Sequence, residues 1–187
     1  MIDHRDERAA LAWVRATIAA RLGGPEPEPP DGAFFATPAA NFVTLFQGAR
    51  LQGCIGDLAP TEPLSASLAR NALLAAFDDP RNHPLSLAMV PTLTVELSLL
   101  SPFAPLSFAS EEQARAQLRP GVDGLVLRWH QHRGVFLPQV WRSLETPREF
   151  LDHLKVKAGL SMSFWAPDVA LERFTVHEFY DGPSPPR

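Results

Sequence analysis

Apolar and polar positions alternate most cleanly over Leu93–Leu99, where Leu93, Val95, Leu97 and Leu99 are separated by Thr94, Glu96 and Ser98. Period-two alternation of this kind predicts a strand with one face buried. Leu11, Val14, Ile18 and Leu22 recur at helical spacing and predict a helix over Asp6–Leu22. Asp6 and Glu7 suit the positive end of that helix, and Gly23-Gly24 supplies its stop. Pro25-Glu26-Pro27-Glu28-Pro29-Pro30 then reads as a stiff spacer that cannot join a ladder. Short strands are expected at Ala33–Ala36 and Phe42–Phe46. Gln47-Gly48-Ala49-Arg50 can turn the second of these into a strand carrying Leu51–Ile55, making a hairpin.

After Asp57-Leu58-Ala59-Pro60, Thr61 is the expected N-cap of a helix running to Phe77, with Leu64, Leu68, Ala72 and Ala75 as its buried stripe. Residues 78–84, Asp-Asp-Pro-Arg-Asn-His-Pro, end that helix as a polar loop. Ser110-Glu111-Glu112-Gln113 has the spacing of a capping box and predicts a short helix to Leu118. Gly124–Trp129 and Gly134–Leu137 read as paired strands across His130-Gln131-His132-Arg133. Thr146-Pro147-Arg148-Glu149 is a second capping signature, opening a helix with Phe150, Leu151, Leu154 and Ala158 that stops at Gly159. A last strand is expected over Phe174–Phe179. Helices and strands mix without a regular β-α-β rhythm, so the fold class is α+β with mostly antiparallel sheet and packed helices.

At 187 residues the chain suits one domain, with room for two lobes. The expected organisation is an N-terminal helix (1–24), a Pro-rich connector (25–31), a main domain (32–180) and a flexible tail (181–187). The longest uncharged stretches contain proline and polar residues, so none is expected to span a bilayer core of about 30 Å. The charged N-terminus lacks the apolar core of a signal peptide, and a single cysteine fits a reducing compartment. These features point to a cytoplasmic protein. A net charge of −4, with lysine only at positions 155 and 157, offers no electrostatic footprint for nucleic acid, so an RNA-related regulator is the least favoured function.

Candidate chemistry centres on Leu51-Gln52-Gly53-Cys54-Ile55-Gly56, where the one cysteine stands between glycines. In a regular strand Leu51 and Ile55 would face the core and Cys54 the opposite side. The missing Cβ atoms of Gly53 and Gly56 would then leave room at the sulfur. The competing reading of Cys54 is a small core residue. A neutral Gln52 favours a thiolate less than a cation would. His130 and His132 could begin a metal site, but no third ligand is nominated, and a solvated turn is the simpler account. No metal or cofactor is therefore expected. Gly121-Val122-Asp123-Gly124 reads first as a tight turn with Asp123 bonding local amides; the alternative sets the Asp123 carboxylate beside Cys54.

In order along the chain, Phe42-Val43-Thr44-Leu45, Leu51-Gln52-Gly53-Cys54-Ile55-Gly56, Asp79-Pro80-Arg81, Val95-Glu96-Leu97-Ser98-Leu99-Leu100-Ser101-Pro102, Gly121-Val122-Asp123-Gly124-Leu125, Phe136-Leu137-Pro138-Gln139-Val140 and Lys157-Ala158-Gly159-Leu160 resemble the AMMECR-type domain, known in prokaryotes as AmmeMemoRadiSam system protein A. The resemblance spans Gly32–Phe179. It implies a two-lobed α+β domain with the cysteine motif in a cleft between lobes. It also implies association with a Memo-like protein and a radical SAM enzyme, and it brings no settled reaction. The chain departs from the family pattern where Gln52 replaces arginine, Asn82-His83 replaces Phe-Pro, and Asp123 stands where many relatives carry histidine.

Three functions follow as expectations. The first choice is an accessory or binding protein serving those two partners, with a cleft lined by Gln52, Gly53, Ile55, Gly56, Asn82 and Gln139. The alternative is a thiol-dependent enzyme or modification factor acting on a small-molecule ligand, with Cys54 as the reactive group and Asp123 beside it. The RNA-related regulator ranks last.

Overall fold

The computed structural model describes residues 2–182, which divide into two compact units, one formed by residues up to Leu100 together with those from His177, the other by Ser101–Val176. Helices and two separate four-stranded sheets make the fold α+β.

The first unit opens with α1 (His4–Arg21), which starts two residues earlier than its periodicity predicts because Asp3 accepts the N–H groups of Arg5 and Asp6. Its Ala10, Leu11, Val14 and Ile18 are buried in one core with the strands. Residues 25–31 carry no regular structure. Ala33–Ala36 is not a strand but a single helical turn, α2. The amides of Phe35 and Ala36 reach back to the Gly32 carbonyl, and the Thr37 hydroxyl closes the turn on Ala33. Four residues with no strand beside them are satisfied more cheaply this way than by an unpaired ladder.

β1 (Asn41–Gln47) and β2 (Arg50–Asp57) form the predicted antiparallel hairpin, and β3 (Leu93–Leu100) pairs with the other side of β1. The sheet order is β2-β1-β3-β8, with β8 at Val176–Tyr180, so β2 is an edge. Val43, Leu45, Val95 and Leu97 are fully buried on the core face.

The third helix, α3 (Leu64–Leu73), buries Leu64, Leu68 and Ala72, and Ala75 follows in the same core. Two details differ from expectation. Thr61 is not its cap; the helix begins after Pro63, whose carbonyl accepts from Ser67. Nor does the α-helix run to Phe77, because residues Leu74–Asp78 widen into a π-helical turn. A 3-10 turn at Leu87–Thr92 leads into β3.

The second unit holds a sheet in the order β4-β7-β5-β6, from β4 (Ala104–Pro105), β5 (Gly124–Trp129), β6 (His132–Phe136) and β7 (Ala170–Phe174). The β5–β6 connection is shorter than expected: His132 pairs with Trp129, leaving only His130 and Gln131 as the turn, with His130 at φ 49°. α4 (Glu111–Ala116) is capped by the Ser110 hydroxyl as predicted but stops short of Leu118, and the Gln113 side chain accepts from Ala109 rather than Ser110. α5 (Pro147–Lys157) carries the complete Thr146/Glu149 capping box and buries Phe150, Leu151 and Leu154. Trp141 stacks on Phe150 with ring centroids 3.8 Å apart.

The expected strand over 174–179 is two strands. β7 ends at Phe174 in the second sheet and β8 begins at Val176 in the first; between them Thr175 exchanges hydrogen bonds with Ser101. The tail assigned to 181–187 is fixed at its first residue: Asp181 bonds Val95 through main chain and carboxylate and takes the Arg15 guanidinium at 2.8 Å. Residues 183–187 lie outside the described residues.

Candidate functional site around Cys54

The hairpin register resets the pattern expected for β2. Leu45 pairs with Gly53 and Phe46 with Leu51, so Gln52 is the extra residue of a β-bulge. The bulge shifts the phase of the strand. Leu51, expected in the core, is exposed, while Gln52 is buried and donates from Nε2 to the His83 carbonyl. Ile55 packs against the core as expected.

Beyond the bulge, Cys54 stands opposite Thr44, and Thr44 stands opposite Glu96. Directly opposed residues share a face, so Cys54, Thr44 and Glu96 make one cross-strand row on the face away from Val43 and Leu97. The Thr44 hydroxyl donates to Cys54 Sγ at 3.3 Å, and the free cysteine is half-buried. Thr44 and Glu96 were not singled out from the sequence. Each is the middle one of three polar positions in its strand, and pairing those strands aligns the two.

The glycines beside Cys54 do not hold space open for an incoming group. A Cβ at Gly53 would lie 2.0 Å from the Ala75 carbonyl oxygen, and one at Gly56 would lie 2.2 Å from the Phe42 ring. Both are glycines because the protein's own atoms already fill those positions. Ala75 belongs to the π-helical turn, which brings its carbonyl against β2.

The same turn delivers Asp79. Its carboxylate is buried and accepts the Cys54 N–H at 3.0 Å and the Arg81 N–H at 3.0 Å. Arg81 grips it with two parallel bonds, Nε to Oδ1 at 2.9 Å and Nη2 to Oδ2 at 2.6 Å, and also donates from Nη2 to the Cys54 carbonyl at 3.0 Å. The Arg81 bond, followed by those from the two amides, holds the Asp79 carboxyl well below its usual 3.8 despite burial. Asp79 in turn raises Arg81 above its ordinary value through the same hydrogen bonds. The Asp79-Pro80-Arg81 motif is thus a clamp on the main chain of Cys54. The Asn82 amide closes it by bonding the Asp79 carbonyl.

Asp123 and Gln139 belong to the second unit. Asp123 is buried, and its carboxylate is held by Arg119: main chain to Oδ2 at 2.9 Å and Nη2 to Oδ1 at 2.6 Å. Its own carbonyl accepts from Trp141. That is the tight-turn reading, with Asp123 as a staple across 119–123. Gln139 lies in the 3-10 turn Pro138–Arg142.

His130 and His132 diverge. His130 meets Asp168 at 3.2 Å, whereas the His132 Nδ1 bonds the Ala158 carbonyl at the end of α5. Among the described residues no group of three His, Cys, Asp or Glu side chains is placed to hold a metal ion, and no helix is long and apolar enough to cross a membrane.

Compared with known proteins, residues 11–179 match the AMMECR1 family. A protein of Methanothermobacter thermautotrophicus is 36% identical over 146 residues, covering 75% of this chain and 74% of its own length. A Thermoplasma acidophilum protein, Ta0236, is 33% identical over 160 residues, covering 83% and 77%. Among solved structures, the uncharacterised protein PH0010 of Pyrococcus horikoshii superposes with a TM-score of 0.76 at 31% identity, covering 95% of this chain and 92% of that one.

Proposed function

The chain belongs to the AMMECR1 family, and from that premise we propose that it is an accessory or binding protein that engages a Memo-like protein and a radical SAM enzyme through the surface around Cys54. One observation carries the choice of a binding over a catalytic role. The charged groups that reach Cys54 are committed to holding its main chain. Asp79, well below the usual carboxylate range, and Arg81, locked by Asp79, neither give nor take a proton near neutral pH. They build a rigid display of β2 rather than an acid–base pair. The partner classes come from the family resemblance.

The test is co-purification of the three proteins under reducing, anaerobic conditions. Association at micromolar concentration is expected. Failure to associate there overturns the reading.

A second reading is supported by the Thr44 hydroxyl at 3.3 Å from the Cys54 sulfur. It makes Cys54 a reactive thiol that contacts a small molecule. Alkylation of Cys54, followed with and without candidate ligands, separates the two readings. An unreactive thiol, together with full function in a folded Cys54→Ala variant, eliminates this one.

A further inference from the structure

The geometry points to a second role for the segment Asp79–His83: it is a strap that closes the β2 edge against pairing with β2 of a second copy of this chain. β2 is outermost in its sheet, and an open edge offers unpaired N–H and C=O groups to any passing strand. At Cys54 both groups turn away from β1. One donor and one acceptor at one residue is the set that an added antiparallel strand engages. Here the strap takes both, the donor through Asp79 and the acceptor through Arg81. At the bulge itself, Gln52 ties the strap down again through the His83 carbonyl.

The composition of β2 shows why a guard is needed. Between Arg50 and Asp57 the strand reads Leu-Gln-Gly-Cys-Ile-Gly, with no charge and an exposed Leu51. Natural edges are blunted by charge, by proline or by cover. β2 has neither charge nor proline over this stretch, and the strap brings both: a carboxylate, a guanidinium and Pro80. Pro80 lacks an N–H, so the strap does not itself template another strand.

Antiparallel pairing of two β2 edges about Cys54 would set the two cysteines directly opposite, with Cα atoms about 5.5 Å apart, which is within disulfide range. This supplies a readout. Diamide removes two electrons and two protons from a pair of thiols, forming one S–S bond and the corresponding hydrazine. Wild-type protein and an Arg81→Ala variant are treated with diamide, and their self-association is measured by sedimentation. Arg81 is largely exposed, so its loss frees the Cys54 carbonyl and leaves the buried Asp79 carboxylate held by its two amides. The variant is expected to self-associate about tenfold more tightly and to yield a disulfide-linked dimer that Cys54→Ser abolishes. The wild type is expected to stay uncrosslinked. A folded variant that remains monomeric and uncrosslinked overturns the proposal, as does a wild type that crosslinks equally. Should Arg81→Ala and Asp79→Asn both unfold, hydrogen exchange on the wild type decides. The Cys54 amide must exchange as slowly as that of Ile55, which faces β1; exchange at the rate of an open edge overturns it.

Discussion

The carboxylate of Asp79 accepts the main-chain N–H of Cys54 at 3.0 Å, although 25 residues separate them. A buried carboxylate here is satisfied by two amides and a two-pronged guanidinium, so its charge is compensated where it sits. The position of the thiol strand therefore depends on a loop rather than on β1 alone.

This makes stability pH-dependent in a defined direction. The folded-state value of Asp79 lies below its usual 3.8. The stabilisation is thus complete above the unfolded value and is lost as pH falls through it toward the folded one. Asp79→Asn is expected to cost about 1.5–3 kcal/mol at neutral pH, the range for hydrogen bonds to a charged group. It should also flatten the acid limb of stability between about pH 5 and pH 2. Urea unfolding of both proteins across that interval measures it. Parallel curves would show that Asp79 does not set the acid limb.

Gly53→Ala tests the close approach of the π-helical turn. The added Cβ would fall 2.0 Å from a main-chain oxygen that cannot rotate away, so β2 or residues 74–78 must shift. A loss of about 1–3 kcal/mol, typical of overpacking, is expected in chemical denaturation. A neutral substitution would mean that the turn yields freely.

In the second unit, Lys155 is buried and bonds Glu111 at 2.7 Å and Asp152 at 2.8 Å, while Arg115 reaches the same two carboxylates. Lys155→Met removes one cation from a set that joins α4 to α5. With Lys155 gone, two carboxylates share the single cation Arg115, and about 3 kcal/mol of stability should be lost. Removing Glu111 together with Lys155 should cost less than the sum of the single changes, which a double-mutant cycle reads directly.

His130 is the one non-glycine residue with positive φ among the described residues. An L side chain in that conformation costs roughly 1–2 kcal/mol, and the exposed Asp168 contact returns about 0–1 kcal/mol. His130→Gly is therefore expected to raise the thermal midpoint slightly; a fall would assign the larger share to the Asp168 contact and to the edge-on packing of His130 on Trp129, ring centroids 4.5 Å apart.

Features that depend on a few neighbouring residues were legible from spacing. The Thr146/Glu149 capping box is complete, the alternation of Leu93–Leu99 became the inner strand β3, and the Phe42–Ile55 hairpin formed. The order of short motifs also located the family, since each motif carries its own local pattern.

What periodicity could not register were the places where the chain changes phase. A one-residue bulge at Gln52 put Leu51 outside and Gln52 inside, and a π-helical turn moved Ala75 against Gly53 and Asp79 against Cys54. One residue outside either ladder, Thr175, divided one apparent strand between two sheets. Capping and alternation are settled by side chains reaching their own backbone within a turn. The main chain of Cys54 is held by a segment 25 to 27 residues away, brought to it by the burial of α3 and the pairing of β1, and only the folded chain brings those atoms within hydrogen-bonding distance.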